Sequence, residues 1–456
     1  MSHSTHLLLY SFPGSGHIIP LLDLTHLLLR RGLTVTVMIT AADTALLRPL
    51  ISSHPSSLHT LLYSEPQITP SPHHPLISKV ISTQKLFDLI AQWFHSHPSP
   101  PVAIVSDFLL GWTAQLASHL GIRRVVFSPS GAFSSSVIHT LWRDITEINA
   151  GNREGDERFL IRLRDVPGSP EFPWWQVPQV LRDYRDGNED LESFRNGMLG
   201  NMTSWGIVYN TFEKLEGVYL DYMKRLVGHD RVWAVGPLLP EEDSPIGVSG
   251  RGGSSAVPLD HLFTWLDKQR DESVAYICFG SQVVLNENQM SALTSALERS
   301  KVCFILCVKA SGPSSIPSGF GDRVANRGFV VEGWVPQLAV LRHRAVGSFV
   351  THCGWNSILE GIASGVMFLT WPMIADQFAN AALLVDQLDI GKRVCEGGPE
   401  IVPDSVKLAR LLDESLSGDR PERVKIKELN HTATKSVKKG TSTRDLDTFV
   451  KLLSEI

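Results

Sequence analysis

Polar side chains are grouped in the second half of the sequence, at a predicted junction between a strand and a helix. His352, Gly354, Asn356 and Ser357 follow the predicted strand Ser348 to Thr351, and a helical pattern begins among them. The first turn of a helix has backbone N–H groups without partners, which favour an anion, and Gly354 lets a ligand approach the backbone closely. This junction therefore predicts an anion site.

A second group of polar residues indicates a ligand that carries hydroxyls. Asn356 and Glu360 are four residues apart, so they share one face of the predicted helix. Asp376 and Gln377 follow the next predicted strand, Phe368 to Thr370, and open another helix. A carboxylate beside an amide suits vicinal hydroxyls, which both donate and accept hydrogen bonds.

These residues have a simpler explanation as helix caps and satisfied core polar groups, and one junction alone does not decide between the two. Several junctions converge here, however, with Trp334 and Gln337 just upstream. Together they favour a site for an anion joined to a polyol, and they do not identify a base.

The first half of the sequence holds a glycine-rich turn before a histidine. The turn Gly14-Ser15-Gly16 lies between a predicted strand and helix, but Ile19 stands where a dinucleotide-binding fingerprint needs glycine, which excludes a Rossmann oxidoreductase. His17 opens the helix. A lone histidine is more often structural, although its ordinary pKa of about 6.5 suits a general base. Asp107 closes the predicted strand Val102 to Ser106, from where its carboxylate could bond one imidazole nitrogen.

Short apolar runs alternate with longer helical stretches in both halves, which predicts an α/β fold of two doubly wound parallel sheets facing across a cleft. The strand candidates of the first half are Leu7 to Phe12, Leu33 to Ile39, Val102 to Ser106, Arg124 to Phe127, Ile207 to Tyr209 and Val232 to Val235. Those of the second half are Val274 to Cys278, Cys303 to Val308, Phe329 to Val331, Ser348 to Thr351 and Phe368 to Thr370.

A stretch rich in Gly, Ser and Pro separates the halves and predicts a flexible connector. The predicted division is residues 1–240, a linker over 241–257, a second domain over 258–440, and a C-terminal helix over 441–456 that returns to the first domain. Ser442 and Asp445 suggest a capping box for that helix. Asp445-Leu446-Asp447 resembles the metal-binding D-x-D of some sugar transferases, but its place within a helix favours capping and solvation.

The bulk composition excludes several classes of protein. With 42 Lys plus Arg, 47 Asp plus Glu and a net charge of -5, the chain lacks the basic surface of a nucleic-acid binder. Its five cysteines form no C-x-x-C pair, which argues against a disulfide framework or a zinc site. Neither a signal peptide nor a membrane-spanning run is recognisable. We expect a cytoplasmic monomer that needs no metal or other cofactor and binds neither membrane nor nucleic acid.

The run from Trp334-Val335-Pro336-Gln337 through His352-Cys353-Gly354-Trp355-Asn356-Ser357 and Glu360 to Asp376-Gln377 resembles the signature box of plant secondary-product UDP-glycosyltransferases. Similarity extends over nearly the whole chain, for example in Asn210-Thr211-Phe212, Leu215-Glu216 and Val235-Gly236-Pro237. The family has the GT-B architecture of two Rossmann-like domains. The resemblance therefore implies a fold that agrees with the alternating pattern.

The resemblance also implies a role for each matching residue. Trp334 and the Val335 backbone would hold uracil, and Gln337 and Glu360 would hold the ribose. The diphosphate would lie on Ser281, His352, Asn356 and Ser357 beside Gly354, and the sugar on Trp355, Asp376 and Gln377. His17 and Asp107 match the family's catalytic pair, with His17 taking the acceptor proton so that the sugar inverts.

The finer specificity is predicted from a narrower resemblance. The chain is most similar to the subgroup of flavonol 7-O-glucosyltransferases and hydroxybenzoate glycosyltransferases, and Gln377 is typical of glucose users, although xylose users share it. We expect transfer from UDP-glucose to a phenolic hydroxyl, with UDP-xylose or UDP-rhamnose as alternative donors. Ser15, Trp112 and Phe127 are candidate acceptor contacts, although core packing is the more frequent role for any single aromatic residue.

Two other classes of function compete with this one. A catalytically silent nucleotide-sugar sensor would need neither His17 nor Asp107, so their presence argues against it. A hydrolase would need either a carboxylate pair placed for glycoside cleavage or a G-x-S-x-G elbow around Ser15. The sequence provides neither arrangement.

Overall fold

The computed structural model describes residues 5–68, 74–152, 155–240, 247–309, 316–418 and 420–456. Within it the chain divides into two compact units. The first unit comprises Met1–Leu239 together with Ser436–Ile456, and the second comprises Pro240–Lys435.

The first unit is built on a seven-stranded parallel sheet in the order β3-β2-β1-β4-β5-β8-β9, with a separate two-stranded β6-β7 ribbon. Its strands are β1 (His6–Tyr10), β2 (Thr34–Thr40), β3 (Leu58–Tyr63), β4 (Ala103–Asp107), β5 (Arg123–Ser128), β6 (Leu160–Arg162), β7 (Glu171–Pro173), β8 (Gly206–Tyr209) and β9 (Val232–Ala234). Its helices are α1 (Ser15–Leu29), α2 (Thr44–Ser53), α3 (Pro75–Gln84), α4 (Phe87–Ser96), α5 (Thr113–Leu120), α6 (Ala132–Gly151), α7 (Gln179–Arg182), α8 (Glu189–Gly200) and α9 (Glu213–Val227). Short 3-10 turns cover Trp174–Gln176 and Asn201–Thr203.

The second unit contains a six-stranded parallel sheet in the order β12-β11-β10-β13-β14-β15. Its strands are β10 (Val274–Cys278), β11 (Cys303–Val308), β12 (Gly328–Glu332), β13 (Val346–Thr351), β14 (Met367–Thr370) and β15 (Gly391–Arg393). Its helices are α10 (Gly247–Gly250), α11 (Leu259–Asp267), α12 (Glu287–Arg299), α13 (Phe320–Val324), α14 (Gln337–Leu341), α15 (Trp355–Ser364), α16 (Gln377–Ala382), which continues as a π-helical turn over Leu383–Gln387, and α17 (Ser405–Ser415). Helix α18 (Pro421–Val437) crosses from this unit into the first, where α19 (Thr441–Ser454) follows.

Both sheets are covered by helices, and their central strands are buried. Every residue of β1 and of β13 is buried, as expected for parallel strands with both faces covered. This double burial produced the continuous apolar runs in the sequence. None of the helices in the described ranges is both long and apolar enough to cross a membrane.

The predicted connector over 241–257 is structured in its second part. Residues 241–246 lie outside the described residues, but α10 packs on α14, and the Ala256 N–H donates to the Trp334 carbonyl at 2.7 Å. The side chain of Arg251 is buried in an ion pair with Glu360. Residues 247–257 therefore make contacts that the composition of the segment did not suggest, and its flexibility stays a prediction.

The C-terminal helix α19 packs on β9. The predicted capping box is wrong, since Ser442 Oγ donates to the Gly236 carbonyl at 2.6 Å and Asp445 accepts from the Ala234 N–H at 2.8 Å. Phe449 lies on Trp233 with ring centroids 4.9 Å apart. Both polar residues thus attach the helix to the strand instead of closing its own first turn.

Glu216 has a structural role that the sequence did not reveal. Its two carboxylate oxygens accept the N–H groups of Ala132 and Phe133, at 2.9 and 2.8 Å, in the first turn of α6. The side chain is fully buried, and burial raises its pKa. A buried carboxylate is stabilised at a helix start by such donors, so Glu216 fixes the position at which α6 begins.

Candidate functional site

The first unit brings a histidine and an aspartate together at the carboxyl ends of two adjacent strands. Strands β1 and β4 are neighbours, with Tyr10 opposite Ser106. His17 lies in the first turn of α1, which follows β1, and Asp107 ends β4. The carboxyl edge of a parallel sheet is where ligands of such folds bind.

The two side chains form a hydrogen bond between His17 Nδ1 and Asp107 Oδ2, at 2.8 Å. The Asp107 side chain is 0% exposed and that of His17 is 20% exposed. The second carboxylate oxygen, Oδ1, accepts the Leu109 N–H at 3.0 Å. Because Nδ1 is directed at the carboxylate, proton exchange between His17 and another molecule falls to Nε2.

Two aromatic rings limit the orientation of the His17 ring. Phe12 meets it edge-on with centroids 5.2 Å apart, and Phe108 lies nearly parallel to it at 6.1 Å. Phe108 had not been predicted as part of the site. Its position directly after Asp107 is the only sequence feature that could have indicated it.

A buried cation, Arg124, lies on β5, the strand next to the one that ends at Asp107. The Arg124 guanidinium donates to Asn201 Oδ1 at 2.9 Å and to Thr113 Oγ1 at 2.9 Å. Asn201 Nδ2 in turn donates to the Phe108 carbonyl at 2.9 Å. Burial lowers the pKa of Arg124 to about 10, and the Asp107 charge opposes that shift. These contacts hold the segment after Asp107, and only a charge within an apolar strand hints at them in the sequence.

The three candidate acceptor contacts lie in different environments. Ser15 begins α1 and is exposed two residues before His17. Trp112 is buried, and its indole N–H donates to Thr83 Oγ1 at 2.9 Å. Phe127 is fully buried in β5. Trp112 and Phe127 are therefore packed in the core, with a small part of Trp112 exposed.

In the second unit, most of the predicted donor residues follow three adjacent strands. Strands β10, β13 and β14 are contiguous, with Cys278 opposite Thr351 and Thr351 opposite Thr370. The segments after these strands carry Ser281, then His352 to Glu360, then Asp376 and Gln377. Trp334, Val335 and Gln337 follow β12 at one edge of the sheet.

The His352 ring is held between two glycines. A Cβ atom on Gly280 would lie 2.7 Å from the ring, and one on Gly354 would lie 2.5 Å from its Nε2. Glycine at 354 therefore makes room for the imidazole, a reason that the sequence did not suggest. Burial lowers the pKa of His352 to about 4, so the ring is neutral at pH 7. Its buried Nδ1 has no hydrogen-bond partner among the described residues.

A polar chain connects α14 to α15. Gln337 Nε2 donates to Ser357 Oγ at 2.9 Å and to Glu360 Oε2 at 2.8 Å. The other oxygen of Glu360 accepts from the Arg251 guanidinium. Gln337, which the family resemblance assigns to ribose, thus contacts both Glu360, the other ribose residue, and Ser357, which the resemblance assigns to the diphosphate. Arg251 was missed because it lies in a stretch that looked like a linker.

Asp376 and Gln377 are fixed by different contacts. Gln377 Oε1 accepts the N–H groups of Met373 and Ile374, at 2.9 and 3.0 Å, which leaves its Nε2 to donate elsewhere. Asn380 Nδ2 donates to Asp376 Oδ2 at 3.0 Å and also to the Cys353 carbonyl at 3.1 Å. Asn380 therefore ties this cluster to the turn after β13, and its spacing of four from Asp376 on one helix was the available signal.

Two residues in these turns adopt a backbone conformation that favours glycine. Cys353 has φ 66 and Ala375 has φ 55. Such conformations cost about 1–2 kcal/mol each in a non-glycine residue and are concentrated at functional sites. The two residues therefore set the backbone direction next to His352 and Asp376.

The remaining predicted donor residues differ in accessibility. Ser281 is exposed, Trp334 and Asn356 are half-buried, and Val335 and Trp355 are buried. Val335 and Trp355 thus expose little surface, like Ser357, Glu360 and Gln377. The second unit offers uncharged donors at a helix start, a carboxylate–amide pair and a half-buried indole, which suit a phosphorylated, hydroxylated ligand with a flat base.

No group of three or more His, Cys, Asp or Glu side chains is arranged for a metal within the described ranges. Asp445 and Asp447, the D-x-D decoy, are engaged with the Ala234 N–H and with Arg31. Asp445 and Asp447 thus attach α19 to the rest of the first unit.

The comparisons with known proteins agree with this geometry. A family profile described as UDP-glucoronosyl and UDP-glucosyl transferase matches residues 245–392. UDP-glycosyltransferase 89B2 of Stevia rebaudiana is 44% identical, covering 99% of this chain and 98% of its own. The flavonol 3-O-glucosyltransferase UGT89B1 of Arabidopsis thaliana is 45% identical, covering 98% and 96%.

The solved structures extend the agreement to the whole fold. UGT89C1 of Arabidopsis thaliana, complexed with UDP-L-rhamnose, is 35% identical with a TM-score of 0.81 and covers 100% of both chains. The same protein complexed with quercetin has a TM-score of 0.77 at 34% identity, covering 99% of this chain and 100% of its own. The predicted GT-B fold is confirmed: the chain belongs to the UDP-glucoronosyl and UDP-glucosyl transferase family and is a UDP-sugar glycosyltransferase.

Proposed function

We propose that this enzyme transfers glucose from UDP-glucose to a phenolic hydroxyl of a flavonol, with inversion, to give a β-glucoside. His17 Nε2 takes the proton of the acceptor hydroxyl, and the oxygen attacks the anomeric carbon from the side opposite UDP. The bond from that carbon to the diphosphate breaks, and UDP leaves with the bonding electrons. Asp107 stabilises the imidazolium that forms, as in the triad logic.

The observation that carries the proposal is the hydrogen bond of 2.8 Å between His17 Nδ1 and the fully buried Asp107. A buried carboxylate directed at one ring nitrogen fixes the tautomer and the orientation of the ring. A silent sugar-binding protein has no need of this arrangement.

The donor side is supported by the polar groups of the second unit. We assign Trp334 and the Val335 backbone to uracil, and Gln337 and Glu360 to ribose. Ser281, His352, Asn356 and Ser357 take the diphosphate beside Gly354, and the first turn of α15 stabilises its developing charge. Trp355, Asp376 and Gln377 take the sugar. This assignment requires no metal or other cofactor.

The identity of donor and acceptor rests on relatives. The flavonol 3-O-glucosyltransferase and the quercetin complex favour a flavonol acceptor, and we propose its 7-hydroxyl, with a hydroxybenzoate as the alternative. The complex with UDP-L-rhamnose makes UDP-rhamnose the second candidate donor. UDP-xylose is a third. A monomer, a cytoplasmic location and the absence of other partners stay predictions.

The proposal is tested by incubating the purified protein with UDP-glucose, UDP-rhamnose and UDP-xylose, each against quercetin, kaempferol and 4-hydroxybenzoate. Mass spectrometry detects the product and NMR assigns its position. We expect UDP-glucose with a flavonol to give the highest kcat/KM, and His17→Ala to abolish transfer while UDP still binds. A higher kcat/KM with UDP-rhamnose would replace the donor assignment, and transfer from no UDP-sugar would refute the function.

A further inference from the structure

Arg251, a buried arginine in the segment that connects β9 to β10 in the sequence, lies at the proposed donor site. Arg251 pairs with Glu360, and the side chains of both are 6% exposed. The preceding helix α10 packs on α14, and the Ala256 N–H is bonded to the Trp334 carbonyl. The segment is thus attached on both sides of Arg251 to the parts of the second unit proposed to hold uracil and ribose.

Arg251 is linked to the proposed diphosphate position by a short chain of contacts. Glu360 accepts from Arg251 with one carboxylate oxygen and from Gln337 with the other. Gln337 Nε2 is also 2.9 Å from Ser357 Oγ. Ser357 and Glu360 are three residues apart on α15, so both face the same side of that helix. Arg251 is therefore connected to Ser357 through the side chains of Glu360 and Gln337.

The charges of the site indicate what the cation does there. The residues proposed to hold the diphosphate are uncharged, since three are Ser281, Asn356 and Ser357 and the fourth, His352, is neutral with its pKa near 4. Glu360 adds negative charge beside a ligand that is itself an anion. Burying an ion pair of this kind gains little stability by itself, whereas a guanidinium near a diphosphate interacts strongly with it.

We propose that Arg251 is a donor-binding residue, the cation that offsets Glu360 and attracts the diphosphate of the UDP-sugar. The inference rests on the proposed donor site. It assigns a binding role to a residue outside the signature box. If it is correct, the contribution of Arg251 depends on the phosphates of the ligand and not on its nucleoside.

The test measures the affinities of full-length wild-type and Arg251→Met protein for UDP, UMP and uridine by calorimetry, with competition for the weakest ligand. Removing this cation from beside the proposed anion site should weaken UDP binding roughly ten- to hundredfold. UMP should lose less, and uridine should stay within about threefold of wild type. Arg251→Lys, which keeps the charge, should recover much of the UDP affinity. Arg323→Met is the matched control, because Arg323 pairs with Glu298 on the surface of the same unit.

The outcomes separate the possible roles. An equal loss for UDP and uridine would mean that Arg251 only orders Glu360, and an unchanged UDP affinity would mean that the pair is inert; either result overturns the inference. If Arg251→Met does not fold, Arg251→Gln is measured in its place against the same three ligands. Wild-type protein that fails to bind UDP would instead refute the proposed function.

Discussion

Replacing Asp107 by asparagine removes one charge from the proposed catalytic pair and preserves its shape. The asparagine carbonyl oxygen can still accept the Leu109 N–H, now bonded to Asp107 Oδ1 at 3.0 Å. Its amide group then faces His17 Nδ1, in place of the oxygen that lies 2.8 Å away. Because an amide NH2 donates, Nδ1 must accept, and the ring proton moves to Nε2. That tautomer cannot take a proton from an acceptor.

The size of the effect follows from the charge that develops on His17. An imidazolium about 4 Å from a carboxylate is stabilised by about 4 kcal/mol at an effective dielectric of about 20. That amount corresponds to about a thousandfold in rate. The His17 side chain is 20% exposed, so solvent screens part of the interaction, and we expect kcat to fall by about thirty- to a thousandfold.

The assay is steady-state transfer to quercetin, with UDP affinity measured separately on the same preparations. We expect kcat to fall while the dissociation constant of UDP stays within about twofold, because Asp107 lies in the first unit and the proposed nucleotide site in the second. Asp447→Asn is a matched control on an exposed aspartate that pairs with Arg31. A kcat within about threefold of wild type in a folded Asp107→Asn protein would refute the reasoning.

Three further predictions follow from individual contacts. Gln377→Glu keeps the oxygen that accepts two backbone N–H groups and loses the Nε2 donor. The kcat/KM for UDP-glucose should therefore fall about tenfold or more, while the thermal unfolding temperature stays unchanged. An unchanged donor profile would contradict the contact between Gln377 and the sugar. Glu216→Gln leaves one N–H at the start of α6 without its acceptor. The free energy of unfolding measured by urea titration should therefore fall by about 1–3 kcal/mol. An unchanged urea midpoint would show that α6 does not need the carboxylate. Burial lowers the pKa of His139 from 6.5 to about 4. The unfolded chain therefore takes up a proton before the folded chain does, and stability is lost as pH falls from 6.5 towards 4. His139→Phe should make the fall in Tm between pH 7 and pH 5 less steep, and an equally steep fall would show that other groups cause the loss of stability.

The sheets were predictable because the central strands are short buried runs rich in apolar residues. Val274–Cys278 and Cys303–Val308 have the predicted bounds. The strands that escaped prediction are short or lie at an edge: β3 alternates only partly between buried and exposed residues, and β15 has three residues. Pairing along the sheet stabilises both, and their own sequence does little to specify it.

The residues of the candidate site also fall into two groups, those that could be predicted from the sequence and those that could not. His17 and Asp107 could be paired from the sequence because parallel neighbouring strands bring their carboxyl ends together. Arg251 and Arg124 could not, since each acts through partners distant in the sequence. Asn380 lies four residues from Asp376, but its second contact, to the Cys353 carbonyl, has no signal in the sequence. Trp112 and Phe127 are buried, and their contact with an acceptor stays a prediction, because an aromatic residue in the sequence does not reveal whether it packs in the core or faces a ligand.

The anomeric configuration of the product tests the central claim most directly. The wild-type protein is incubated with UDP-glucose and quercetin, and the coupling constant of the anomeric proton is read by NMR. Attack by an oxygen that His17 has deprotonated, opposite the leaving diphosphate, predicts the β-glucoside alone. An α-glucoside, or release of free glucose without a glycoside, would contradict the account.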